Sequence, residues 1–190
     1  MANPELTQYD AEITQRVVAI LTTDASWTSV LAQVSTDFSS GPTITAPTDS
    51  HVEICLADLD DIHLPQRYPA VRVAILDSND VAGVNHGVGR TLHSLELRTF
   101  TRTTDRSAVL AGRAWIDSTA TLRADLFARA AQYIMMRDLA GTVGVYEIQA
   151  NGGSSKQPLP SSDGTVLRIS RVFNVWQRTR SSRFGFAFTG

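Results

Sequence analysis

Cysteine and lysine are nearly missing from this chain of 190 residues, which has one of each, Cys55 and Lys156. A lone cysteine forms no intrachain disulfide and builds no cysteine zinc cluster, so the fold is expected to rest on packing. Charge of one sign is also scarce. The formal net charge is −2 and the isoelectric point about 6.1, too weak a field for non-specific binding to nucleic acid or an acidic membrane. No stretch approaches the roughly 18 apolar residues that span a bilayer. The opening Met1-Ala2-Asn3-Pro4-Glu5-Leu6-Thr7 lacks the basic start and apolar core of a signal peptide. The expectation is a chain made in a cytoplasm-like compartment, with no membrane partner.

What is there is apolar residues and arginine. Apolar residues make up 43% of the chain, enough for a single domain with a real core. Of the 17 basic residues, 17 − 1 = 16 are arginine. That bias has two readings: a GC-rich genome, or the use of arginine's planar fork for bidentate contacts across interfaces.

Residues Thr7 to Leu21 place Ile13, Val17, Ile20 and Leu21 at helical spacing. A second short helix is expected from Asp24 through Trp27, Val30, Leu31 and Val34, with Asp24 as its cap. Ser35 to Ser50, with Gly41, Pro42 and Pro47, reads as part of an extended loop region over 35–66. A short strand is expected at Val52 to Leu56. A longer one is expected at Pro69 to Leu76, where Val71, Val73 and Ile75 share a face. Asp77 to Arg90 reads as a glycine-rich connector to a strand from Leu92 to Arg102. A helix capped by Ser118 or Thr119 and stopped by Gly141 should carry a stripe of Leu122, Leu126, Ala130, Tyr133, Ile134 and Arg137. A strand near Val143 to Gln149, a mobile polar hairpin loop over 150–164 and a long strand from Val166 to Arg178 complete the chain. The sum is one α+β domain, 1–190. Its mainly antiparallel sheet is built from two hairpins flanking a central helix, with the N-terminal helix packed on the same sheet face.

Signals for chemistry are thin. Asp58, Asp60, Asp61 and His63 could hold a divalent ion, but they lack the glycine and terminal glutamate spacing of an EF-hand loop, and a solvated acidic turn explains them better. Gly83-Val84-Asn85-His86-Gly87-Val88-Gly89-Arg90 has neither a GKS/GKT ending nor the G-x-G-x-x-G order opening a helix. No G-x-S-x-G elbow is present. The reading is therefore a non-enzymatic protein without catalytic residues, metal or cofactor. A metal-dependent small-ligand enzyme built on the Asp58–His63 region stands as an alternative.

The arginines carry the sharper signal. On the strand Leu95 to Arg102, the residues Glu96, Arg98, Phe100 and Arg102 share one face. On the last strand, Arg168, Val172, Trp176 and Arg178 share one face, and Leu167, Ile169, Arg171, Phe173 and Val175 the other. Arginine stems can shield apolar area on a solvated face. Phe100, Val172 and Trp176 mixed with arginine instead match the composition of protein interfaces. A subunit interface is the favoured reading.

The order of elements adds to this: an N-terminal helix, Tyr68-Pro69-Ala70-Val71 leading into a strand, a long loop, the strand Leu95 to Arg102, the helix Leu122 to Leu139, and a last strand ending Trp176-Gln177-Arg178-Thr179-Arg180. Over about residues 6 to 180 it resembles the tail-terminator and related tail-completion (neck) proteins of long-tailed bacteriophages. The resemblance implies a structural virion protein, assembled in the host cytoplasm. It would form a homohexameric ring that caps the tail tube, ends tail polymerisation and joins the tail to the neck or connector. Implied partners are copies of itself, the tail tube protein, the neck or connector protein and the tail sheath, with DNA only passing through the lumen. It also implies inter-subunit or lumen roles for Arg98, Phe100, Arg102, Arg168, Arg171, Val172, Trp176 and Arg178. Asn79, Asn85, His86, Arg90 and Lys156 would lie in docking loops. The long 35–66 segment departs from a compact terminator. A cytosolic phage assembly adaptor that never enters the particle is the other alternative.

Overall fold

In the computed structural model the described residues are 4–37, 46–47, 51–54, 64–80, 88–103, 118–162 and 164–180. Helix α1 (Pro4–Leu21) buries Ile13, Val17, Ile20 and Leu21, the stripe expected from their spacing. The chain breaks at Thr22 and Thr23 and restarts as α2 (Asp24–Asp37), so the two are separate helices. Trp27 closes the junction: its indole Nε1 donates to the Leu21 carbonyl at 2.7 Å, satisfying one acceptor that the end of α1 leaves open.

The strands are β1 (Val52–Ile54), β2 (Ala70–Asp80), β3 (Val88–Thr103), β4 (Val145–Ser161) and β5 (Gly164–Arg180). They form one sheet in the order β1-β2-β3-β5-β4, with β1 parallel to β2 and all other pairs antiparallel. Its centre is the long ladder between β3 and β5, running from Val88 opposite Arg180 to Thr103 opposite Thr165. Between the hairpins lies α3 (Ser118–Leu139), which stops just before Gly141 at φ +78°.

One core joins helices and sheet. Val71 and Val73 of β2, Leu95 and Leu97 of β3, and Phe173 and Val175 of β5 face Ile13, Val17, Trp27, Phe127, Ile134 and Met135. This is an α+β fold with the helices on one sheet face.

Three expectations change. The segment read as a connector, Asp77 to Arg90, is strand at both ends, since β2 runs to Asp80 and β3 starts at Val88. The segment 150–164 is not a loop: β4 stays paired with β5 until Ser161 meets Gly164. Alternation is missing there because β4 is an edge strand, and residues 146–158 are exposed apart from Ile148, so neither face selects apolar side chains. The buried stripe of α3 also differs. Leu126, Ala130 and Ile134 are buried as expected, but Tyr133 is 57% exposed, and Ala124, Phe127, Ala128, Ala131, Met135 and Leu139 are buried as well. Sheet and helices cover α3 from two sides, which widens its apolar arc and moves its centre toward Phe127 and Ala131.

Candidate functional site

The sheet face away from the helices collects most of the residues singled out by periodicity. Register sets Glu96 opposite Val172, Arg98 opposite Ser170, Phe100 opposite Arg168 and Leu92 opposite Trp176. Alternation along each strand puts Arg72, Leu92, Ser94, Glu96, Arg98, Phe100, Arg102, Arg168, Val172, Asn174, Trp176 and Arg178 on this side. Arg171 falls on the other side. Its Nη1 donates to Gln132 of α3 at 3.3 Å and its guanidinium lies 5.9 Å from the Phe173 ring centroid.

Half of this face is closed by the chain itself. Phe100 is fully buried, packed with Ala70 and Val166 under Leu64, Tyr68 and Leu159, so it is not an open interface residue. Alternation could not reveal this, because the covering residues 64–68 precede β2 and show no periodic pattern. The arginines around it are engaged within the chain. Arg72 stacks over Phe100 at 5.4 Å and pairs with Glu53 at 2.8 Å, while Arg102 lies 6.0 Å from the Tyr68 ring centroid. Burial raises the Tyr68 phenol above its usual pKa, with the charges of Arg102 and Arg72 pulling it down. Arg98 is 8% exposed and pairs with Glu96 at 2.6 Å.

The other half is open among the described residues. Leu92, Val172 and Trp176 are only partly buried, interleaved with Ser94, Asn174, Glu147 and Gln149. Arg168 bonds to Gln157, and exposed Arg178 sits 4.8 Å from the Tyr146 ring centroid. Apolar side chains ringed by polar groups and stacked arginine have the make-up of a protein contact surface.

A second surface escaped the sequence reading. Between α2 and α3 runs a groove of about 400 Å³, lined by Val30, Leu126, Ala130, Arg129, Tyr133 and Arg137 among others. Arg137 lies 5.6 Å from the Tyr133 ring centroid and bonds to Asp138 at 2.5 Å; Asp138 accepts from Ser26 Oγ at 2.7 Å. The Arg137 hydrogen bond is the main cause that holds the Asp138 carboxyl below its ordinary pKa. The 3–4 spacing of Ala124, Phe127, Ala131, Ile134 and Met135 was the signal that could have set Tyr133 outside the core.

Of the expected docking residues, Asn79 lies on β2, where its amide donates to Asp77 at 2.5 Å, and Arg90 is exposed on β3. Asn85 and His86 lie outside the described residues, as do Asp58, Asp60, Asp61 and His63. Lys156 is not on a loop; it sits on β4 and pairs with Asp125 of α3 at 2.6 Å. Among the described residues there is no cluster of three metal-ligating side chains, and no helix is long and apolar enough to cross a membrane.

His93 forms a buried polar chain beneath the helices. Gln177 Nε2 donates to the Val143 carbonyl at 2.6 Å, which turns Gln177 Oε1 toward His93 Nε2 at 3.1 Å. On the other side, Ser78 Oγ lies 2.9 Å from His93 Nδ1. The network assigns the proton to Nε2 and leaves Nδ1 to accept from the serine. These bonds tie β2, β3, β5 and the turn before β4 together.

No protein-family model matches the chain, and no curated protein matches it in sequence. Among solved structures, a chain described as "Virion of native gene transfer agent (GTA) particle" is similar, with 12% identity and a TM-score of 0.43 over 87% of this chain and 94% of that one.

Proposed function

We propose that this chain is a structural subunit of a phage-type virion, one that closes into a ring, caps the tail tube, ends its polymerisation and joins it to the neck. The observation that carries the reading is the half-open sheet face, where Leu92, Val172 and Trp176 sit beside Arg178 with no helix over them among the described residues. A ring needs two different faces per subunit, because a head-to-tail contact closes only when the surface of one copy fits another surface of the next. The open sheet face and the groove with Tyr133, Arg129 and Arg137 lie on opposite sides of the molecule and supply such a pair. A ring of six and the positions of tube and neck come from the resemblance in element order. The virion chain with a similar course belongs to the same kind of setting, but the reading rests on the two surfaces.

The test is tube assembly in vitro. Tail tube protein polymerised with this chain should give tubes that stop growing and carry a density at one end in electron micrographs. Tubes of unchanged length with bare ends would contradict the reading.

A further inference from the structure

Two exposed charges of opposite sign, one on each of the two surfaces described above, stand outside every ion pair among the described residues. On the sheet face the charge is Glu147. Register sets it directly opposite Trp176, and its carboxylate accepts from the neutral amide of Gln149 at 2.6 Å. In the groove between α2 and α3 the charge is Arg129, because the other lining arginine, Arg137, already shares Asp138. The pairs Arg72–Glu53, Arg98–Glu96 and Lys156–Asp125 involve neither residue.

Both surfaces set their charge beside an apolar anchor at a similar spacing. Cβ atoms directly opposite on antiparallel strands lie about 5 Å apart, so the Glu147 carboxylate stands next to the Trp176 indole. On α3, Arg129 is three residues from Leu126 and four from Tyr133, which separates their Cβ atoms by about 5–6 Å. Its guanidinium therefore borders the apolar floor that Val30, Leu126 and Ala130 give the groove. Helices covering a sheet face is also how this chain packs internally, where α1 and α3 lie on the opposite face of the same sheet.

We infer that the α2–α3 groove of one copy seats on Trp176 of the next, and that an ion pair between Arg129 and Glu147 across this contact fixes how the two copies meet. The inference rests on the ring proposed above and deepens it by naming the pair that sets its register. The occupant is a second copy because one unpaired anion answers one unpaired cation, and every copy carries both. A closed head-to-tail ring then leaves neither charge unmatched. An exposed ion pair adds little affinity; its force lies in the penalty on arrangements that set like charges together.

The test is charge reversal, read by native mass over a concentration series. Glu147→Arg alone and Arg129→Glu alone each oppose like charges at every contact, and each should need at least about tenfold more protein than the parent to assemble. Mixed in equal amounts, the two variants should assemble near the parent concentration, in rings where they alternate. The double variant should assemble alone. Both positions are exposed, so the unfolding midpoints should match the parent's. Where one reversal does not fold, Glu147→Gln or Arg129→Gln takes its place and should weaken assembly about threefold. Single variants that assemble like the parent overturn the pair, leave the ring standing and give the groove to a partner other than this chain. Single variants that fail, with mixture and double variant failing too, overturn the pairing of these two charges. A full chain that never assembles overturns the ring and this inference with it.

Discussion

Trp27 of α2 and Phe127 of α3 stack with ring centroids 5.4 Å apart and planes 12° from parallel, and neither ring reaches solvent. They pin the helical layer to itself while Phe127 also reaches the sheet core. Trp27→Ala or Phe127→Ala should each lower stability by about 3–5 kcal/mol, since either leaves a large cavity in a close-packed interior. Chemical denaturation of the purified variants checks this; a loss below 1 kcal/mol would mean that the helices are held by something else.

Beneath the same layer, Gln177→Leu should cost about 1–3 kcal/mol, because it strands both the Val143 carbonyl and the buried His93 ring. His93→Ala should cost no less, since it adds a cavity. Equal stability of Gln177→Leu and the parent would remove the network from the account.

Gly144 makes the turn into β4 at φ +79°, and a Cβ there would overlap the Arg178 carbonyl oxygen. Gly144→Ala should destabilise by about 2 kcal/mol or more, through left-handed backbone strain and backbone overlap together. Gly153→Ala, with open space around its Cβ, should change stability by less than about 0.5 kcal/mol. Thermal melts of the pair separate a conformational requirement from a general intolerance of alanine.

Asp138 gives a pH dependence of definite sign. The hydrogen bond from Arg137, then that from Ser26, holds its carboxyl below the ordinary 3.8. The stabilisation is therefore present well above the ordinary 3.8 and is lost as pH falls through that value and then through the lower folded-state one. Asp138→Asn should flatten the acid limb of the stability profile without altering it at pH 7 to 8 in slope. A steeper acid limb in the variant would contradict the assignment.

The sheet was legible because its strands are long and half covered: Val71, Val73, Leu95, Leu97, Phe173 and Val175 alternate against polar neighbours. β4 was legible only at its start, Val145 to Gln149; its continuation to Ser161 was not, because exposed side chains over 149–158 display no apolar period. The sheet face proposed as a contact surface was legible only in part. Spacing placed Phe100 beside Arg98 and Arg102, but a covering segment with no period of its own, Leu64 to Tyr68, buries it. Val172 and Trp176 keep the exposure that the reading needs. Tyr133 escaped because a helix covered on two sides has no single narrow stripe.

The open face is tested by charge. Val172→Glu combined with Trp176→Glu should abolish assembly while lowering stability less than Trp27→Ala does, because both side chains are only partly buried in the single chain. Retained assembly with both glutamates in place would move the interface elsewhere.

The most direct test of the central claim is native mass spectrometry of the full chain at rising concentration, alone and with tail tubes. The account predicts one discrete closed species at a whole multiple of the 20.7 kDa subunit mass, with tubes capped by it. A single 20.7 kDa species at every concentration, with or without tubes, would contradict it.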